Sequence, residues 1–166
     1  MAKKPVTKDS AFERLAALCS RSEQCESDLM KKMVAWGLRD IERREVAERL
    51  KEGRFLDESR FAKAFATDKA RFSVWGPVKI RIELAKRRIP GTIIRDAVAG
   101  VNPDIWKEGL LKCARTKSRT LELNGTEGYK NQQKLYAYLI SRGFPSGASS
   151  KAVALMKKEQ MKDEMD

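Results

Sequence analysis

Three separate segments of the chain place apolar residues at i, i+4 and i+9. They are Leu29, Met33 and Leu38; Ile80, Leu84 and Ile89; and Leu135, Leu139 and Phe144. An i, i+4 pair lies on one stripe of a helix. The last member of each triplet follows Gly37, Arg88 or Gly143. A glycine there suits a left-handed C-terminal cap that turns the next apolar residue back onto the helix. Arg88 in the same place predicts a cap of different geometry. Further helical stretches follow each segment, at 40–51, 92–99 and 149–158, and others precede it, at about 10–19, 58–72 and 104–117. The pattern therefore predicts nine helices in three groups of three, repeated at intervals of 51 and 55 residues. No alternating apolar–polar run of five or more residues argues for a strand. The expected fold is all-α, three tandem three-helix repeats forming an elongated, curved array. Its expected parts are a disordered basic tail at 1–8, repeats at 9–56, 57–101 and 102–158, and a charged C-terminal tail at 159–166. Asn124 to Tyr129 reads as an exposed loop within the third repeat, with no evident role.

Composition narrows the chemistry. The chain has 166 residues, 42% of them hydrophobic, which suffices for a packed core. Its net charge of +12 favours polyanionic partners: nucleic acid, an anionic membrane or an acidic protein surface. No apolar run approaches the ~20 residues of a membrane span. The first residues carry charge with no apolar stretch behind them, unlike a secretory signal, so a cytoplasmic protein with no membrane partner is expected. The chain has no His, and its three Cys form no CxxC pair, so the usual zinc sites and the commonest general base are missing. Cys19 and Cys25 fall in helical stretches and read as small buried residues. Neither a phosphate-binding G-x-x-x-x-G-K-[ST] loop nor a G-x-S-x-G turn occurs. Asp57 and Glu58 are best explained by helix capping and the helix dipole. These features point to a binding protein, not an enzyme, with no cofactor and no metal.

The charge is unevenly spread. Residues 9–50 hold eight basic and nine acidic groups, residues 60–95 ten and two, and residues 102–153 nine and four. At 100° per residue, Arg60, Lys63, Thr67 and Arg71 fall within an arc of about 80°. Phe61, Phe65 and Phe72 cluster within about 40° of one another, away from that arc, and read as core. On the next helix Lys79 and Lys86 lie on one flank of the Ile80–Leu84 stripe, with Arg81 and Arg88 on the other. Glu83 can pair with Lys79 or Lys86. Lys86, Arg87 and Arg88 with Arg95 form a concentrated cluster suited to phosphate contacts. Arg60, Lys63, Arg71, Lys79, Arg81, Lys86, Arg87, Arg88 and Arg95 are thus the candidate nucleic-acid or filament-binding residues. The competing reading is the ordinary solvated face of an amphipathic helix.

Two motifs carry a family resemblance. In Gly53-Arg54-Phe55-Leu56-Asp57-Glu58-Ser59-Arg60-Phe61-Ala62, Asp57 is placed to cap a helix, and Phe55 and Leu56 can pack back on Phe61. In Trp75-Gly76-Pro77-Val78-Lys79-Ile80-Arg81-Ile82-Glu83-Leu84, Pro77 opens the next helix. Together they resemble the signature of the RecX family of bacterial recombinase regulators, with Arg54 as an extra residue after the glycine. Lys134 to Phe144 resembles that family's C-terminal motif, and the likeness runs from about residue 11 to 156. The resemblance implies a modular array that binds the RecA protein, most effectively as its nucleoprotein filament, lying in the filament groove. It implies inhibition of RecA's ATPase, strand-exchange and coprotease activities, and so a part in recombination, repair and the SOS response. It further implies a monomer with weak auxiliary contact to single- and double-stranded DNA. The alternative is a sequence-nonspecific DNA-binding or nucleoid-associated helical protein. Against that alternative, the middle repeat lacks the Asn, Gln and Ser expected at the start of a base-reading helix.

Overall fold

The computed structural model describes residues 6–165. Among them lie nine helices and no strand: α1 (Lys8–Arg21), α2 (Glu26–Ala35), α3 (Asp40–Glu52), α4 (Glu58–Arg71), α5 (Pro77–Lys86), α6 (Gly91–Ala99), α7 (Pro103–Ser118), α8 (Gly128–Ser141) and α9 (Ser146–Asp163). The all-α reading in three-helix sets is the observed architecture. Each member of the three apolar triplets is buried, none more than 4% exposed.

The second helix of every set ends in the same way. Gly37 donates to Val34 O (2.9 Å) and Leu38 to Met33 O (3.1 Å); Arg88 donates to Ala85 O (2.9 Å) and Ile89 to Leu84 O (3.2 Å); Gly143 donates to Ile140 O (2.9 Å) and Phe144 to Leu139 O (3.2 Å). This paired 5→2 and 6→1 bonding is a Schellman cap, and the buried residue after it packs back onto the helix. The expectation of a different cap at Arg88 is corrected: its φ is +60°, beside +82° at Gly37 and +91° at Gly143. The two hydrogen bonds and the burial of Ile89 outweigh the ~1–2 kcal/mol that a left-handed L-residue costs. Arg54, the extra residue of the first motif, repeats the device after α3 at φ +57°, with Arg54 donating to Lys51 O (2.9 Å) and Phe55 to Leu50 O (2.9 Å).

By its internal contacts the chain divides into two compact units, Met1–Ala64 with Leu84–Ile94, and Phe65–Glu83 with Arg95–Asp166. All three breaks between them fall within the stretch 57–101 expected as the middle repeat. In the first unit, α1, α2 and α3 enclose Leu15, Leu29, Met33, Val46, Leu50 and Leu56. In the second, α7, α8 and α9 enclose Ala114, Leu123, Leu135, Leu139, Phe144 and Met156, with Val74 packed against them.

Within the second unit, main-chain atoms join the turn before α5 to the end of α8. Gly76 N–H donates to Arg142 O (2.7 Å) and Val78 N–H to Gly143 O (2.9 Å). Amides at the start of α5 are thus satisfied by carbonyls at the end of α8, donors and acceptors that both helices otherwise leave open. The approach requires glycine on both sides. A Cβ on Gly76 would lie 2.3 Å from the Gly143 carbonyl carbon, and one on Gly143 would lie 2.3 Å from Lys79 Cβ. Arg142 also donates from its guanidinium to the carbonyls of Ser73 and Val74. Val74, held there, has the unusual φ of +52° for a β-branched residue.

Three sequence expectations change. Phe72 is 80% exposed, because α4 ends at Arg71 and the helical phase that aligned it with Phe61 stops there. Trp75 takes up the contact instead, edge-on to Phe65 with ring centroids 6.3 Å apart. The stretch 159–166 is not a plain tail: α9 continues to Asp163 and Gln160 is anchored. The Gln160 side chain accepts from Leu123 N–H (2.9 Å) and donates to the carbonyls of Ser118 (3.1 Å) and Leu121 (2.8 Å). The loop around Asn124 is correspondingly pinned, with Leu123 fully buried, and Gly128 and Tyr129 already belong to α8. Residues 1–5 of the expected N-terminal tail, and residue 166, lie outside the described residues; α1 begins at Lys8, where the Thr7 hydroxyl accepts from Ser10 N–H (3.2 Å).

Candidate nucleic-acid and filament interface

The nine candidate cations fall into distinct electrostatic settings. Arg60 starts in α4, where Asp57 caps the helix by accepting from Arg60 N–H (2.9 Å). Its guanidinium pairs with Glu23 (3.0 Å) and donates to Arg54 O (2.9 Å), so it ties the α3–α4 turn in place. Arg87 pairs with Asp28 of α2 (3.5 Å). Arg95 meets Asp96 at 3.6 Å with both side chains largely in water, a contact of little energetic weight. The Lys79 ammonium lies 4.4 Å from the centre of the Trp75 ring, and Lys69 lies 5.0 Å from the same ring. Lys63, Arg71, Arg81 and Arg88 are exposed, and no carboxylate pairs with them among the described residues. The basic arc of α4 is thus broken at Arg60, while its other two cations remain open.

Lys86, Arg87 and Arg88 share the wall of a cleft of about 780 Å³ in the first unit with Glu26, Asp40 and Glu58. The cleft is therefore of mixed sign, not a purely cationic channel. Its acidic side is structurally engaged: Asp40 pairs with Arg44 (2.9 Å) and Arg43 (3.2 Å), and Glu26 with Lys51 (2.7 Å). The hydrogen bond to Glu26 raises the Lys51 pKa above its ordinary value. Burial pushes the Glu58 carboxyl above the usual range, with the Glu26 charge adding to the effect and a hydrogen bond from the Glu26 backbone opposing it. In the second unit Arg71 borders a shallow hollow of about 390 Å³ with Lys112 and Glu108. The thiols of Cys19 and Cys25 are pushed up by burial, which opposes thiolate chemistry.

Two features escaped the reading of the middle repeat. One is the Trp75 ring with its two lysines, whose signal is the Trp-Gly-Pro turn itself. The other is the stretch Gly128–Lys158, which holds six basic residues and no Asp or Glu. The first three-helix set differs in that many of its cations meet its own carboxylates: Arg49 pairs with Asp9 (2.8 Å) while lying over Phe12 at 4.2 Å, and Arg39 pairs with Glu42 (3.2 Å).

Residues 57–98, from the Asp57 cap through α4, α5 and most of α6, match the family model for the second three-helix domain of RecX. Over this stretch the chain is similar to RecX proteins. A regulatory protein RecX of Clostridium botulinum (strain Alaska E43 / Type E3) is 33% identical over 95 residues, which cover 57% of this chain and 44% of that protein. The chain thus spans less than half the length of this RecX relative within the match. A regulatory protein RecX of Chlorobium phaeobacteroides (strain BS1) is 28% identical over 136 residues, covering 82% of this chain and 86% of that one. The crystal structure of RecX from Lactobacillus salivarius shares the fold, with a TM-score of 0.75 at 15% identity, covering 90% of this chain and 96% of that chain. The motifs that resemble RecX sit where the geometry gives them work: Asp57 caps α4, Pro77 opens α5, and Gly76 abuts Gly143.

Proposed function

We propose that this chain is a non-enzymatic regulator that binds RecA, foremost as its filament on DNA, and inhibits the ATPase, strand-exchange and coprotease activities, with auxiliary contact to DNA. The observation that carries the reading is the set of open cations in a chain similar to RecX proteins. Lys63, Arg71, Arg81 and Arg88 keep their charge available, whereas most arginines of α3 in the first three-helix set meet carboxylates of that set. A surface of that sign suits a nucleoprotein assembly rich in phosphate. The family resemblance supplies RecA as the protein partner, and a cytoplasmic monomer is the form proposed to act.

The test is an ATPase titration of RecA on single-stranded DNA. The wild-type chain should slow hydrolysis, and K63E/R71E/R81E should inhibit much less while melting near the wild-type temperature, since such exposed changes usually alter stability within about 0.5 kcal/mol. Arg60 is left out because it holds Glu23 and the α3–α4 turn. Full inhibition by the triple variant would reduce these cations to a solvated face.

A further inference from the structure

From the geometry we infer that the exposed face of α8, with the first turns of α9, is a binding surface for single-stranded nucleic acid. The inference rests on the auxiliary DNA contact proposed above and assigns it to a place outside the middle three-helix set. Tyr129 opens α8 at 75% exposure, and Lys130, Gln133, Lys134 and Ala137 follow it on the solvent side. Beside it runs a groove of about 230 Å³ between α8 and α9, lined by Gln132, Gln133, Tyr136, Ser150 and Val153. Lys151 is exposed directly after Ser150.

Charge selects the occupant. No Asp or Glu occurs from Gly128 to Lys158, and Lys134 and Lys151 have no carboxylate partner among the described residues. Lys130 alone on this face is paired, with Glu127 at 3.2 Å. Unpaired lysines flanking the exposed Tyr129 and the half-buried Tyr136 form the combination that holds a single strand, in which phosphates meet ammonium groups and bases stack on rings. The pinned loop gives Tyr129 a fixed platform. The Asn131 side chain donates to Glu122 O (2.8 Å) and the Gln132 side chain to Leu123 O (2.8 Å), so the chain enters α8 in one direction.

The experiment follows fluorescein-labelled oligothymidylate by anisotropy with the full chain, Y129A, K134A/K151A and K63E/R71E/R81E, each checked for folding by circular dichroism. Loss of the stacking ring should weaken binding about tenfold. Loss of two phosphate contacts should flatten the salt dependence by about 1.4 in log–log slope. Wild-type affinity and slope in both α8–α9 variants would overturn the inference, as would no binding of the oligomer by the wild-type chain. Loss of binding in K63E/R71E/R81E alone would overturn it too and place the contact in the middle set. RecA ATPase inhibition, read on the same proteins, separates this result from the function above. Weakened oligomer binding by Y129A supports the surface even if no protein inhibits RecA.

Discussion

At the residue scale, the two arginines in left-handed conformation carry a testable penalty. Arg54 and Arg88 sit at φ +57° and +60° in caps that glycine fills elsewhere in the chain. Arg88→Gly should raise the unfolding free energy by about 1 kcal/mol in urea titrations, because it removes the Cβ conflict and keeps both cap hydrogen bonds. Unchanged or lower stability would mean that the Arg88 side chain makes up the difference. Glu58 offers a second test. A carboxyl whose pKa is raised on folding favours the folded state at low pH, and that favour is lost as pH rises through the raised value. Glu58→Gln should therefore melt above the wild type at pH 7, with the gap closing below about pH 4. A gap that widens on acidification would contradict the direction of the shift. Phe61 and Phe72 make a third contrast at 9% and 80% exposure. Alanine at Phe61 should cost about 3–5 kcal/mol in chemical denaturation, and at Phe72 no more than about 0.5 kcal/mol.

At the scale of elements, one cap serves two ends. Gly37 and Gly143 share the left-handed conformation, but a Cβ on Gly37 would meet nothing within 4 Å. Gly37→Ala should cost only the conformational penalty, about 1–2 kcal/mol. Gly143→Ala adds a collision with α5 and should cost about 2–5 kcal/mol, read as a larger drop in the urea midpoint. Equal losses would show that the α5–α8 contact yields easily. Much of this scale was legible in advance. The triplet spacing marked nine positions that proved buried, Pro77 marked the start of α5, and Asp57 marked the cap of α4. The cap at Arg88 was not legible, since propensity forbids what tertiary packing of Ile89 enforces. Phe72 misled for a related reason: periodicity gives direction around a helix but not the residue at which the helix stops. The partner of Arg60 was hidden as well, because Glu23 lies 37 positions away and only the fold brings it near.

At the scale of the whole molecule, the net charge of +12 overstates uniformity. The first three-helix set pairs many of its cations with its own carboxylates, while Gly128–Lys158 leaves lysines open and contains no acid. The consequence is a separation by salt. Binding to a bare oligonucleotide should fall steeply between roughly 50 and 200 mM salt, as phosphate contacts give way to counterions. Inhibition of RecA should persist further, because protein–protein contact adds terms that salt screens less. Parallel decline of both would favour the plain DNA-binding alternative.

The glycine pair between α5 and α8 has a last implication, for evolution and engineering. A connector made chiefly of amides and carbonyls, with Arg142 as its one side-chain donor, asks little of the rest of a graft. A transplanted copy of the third helical set from a RecX protein should therefore couple onto this Trp-Gly-Pro bend if it brings its own terminal glycine and the arginine before it.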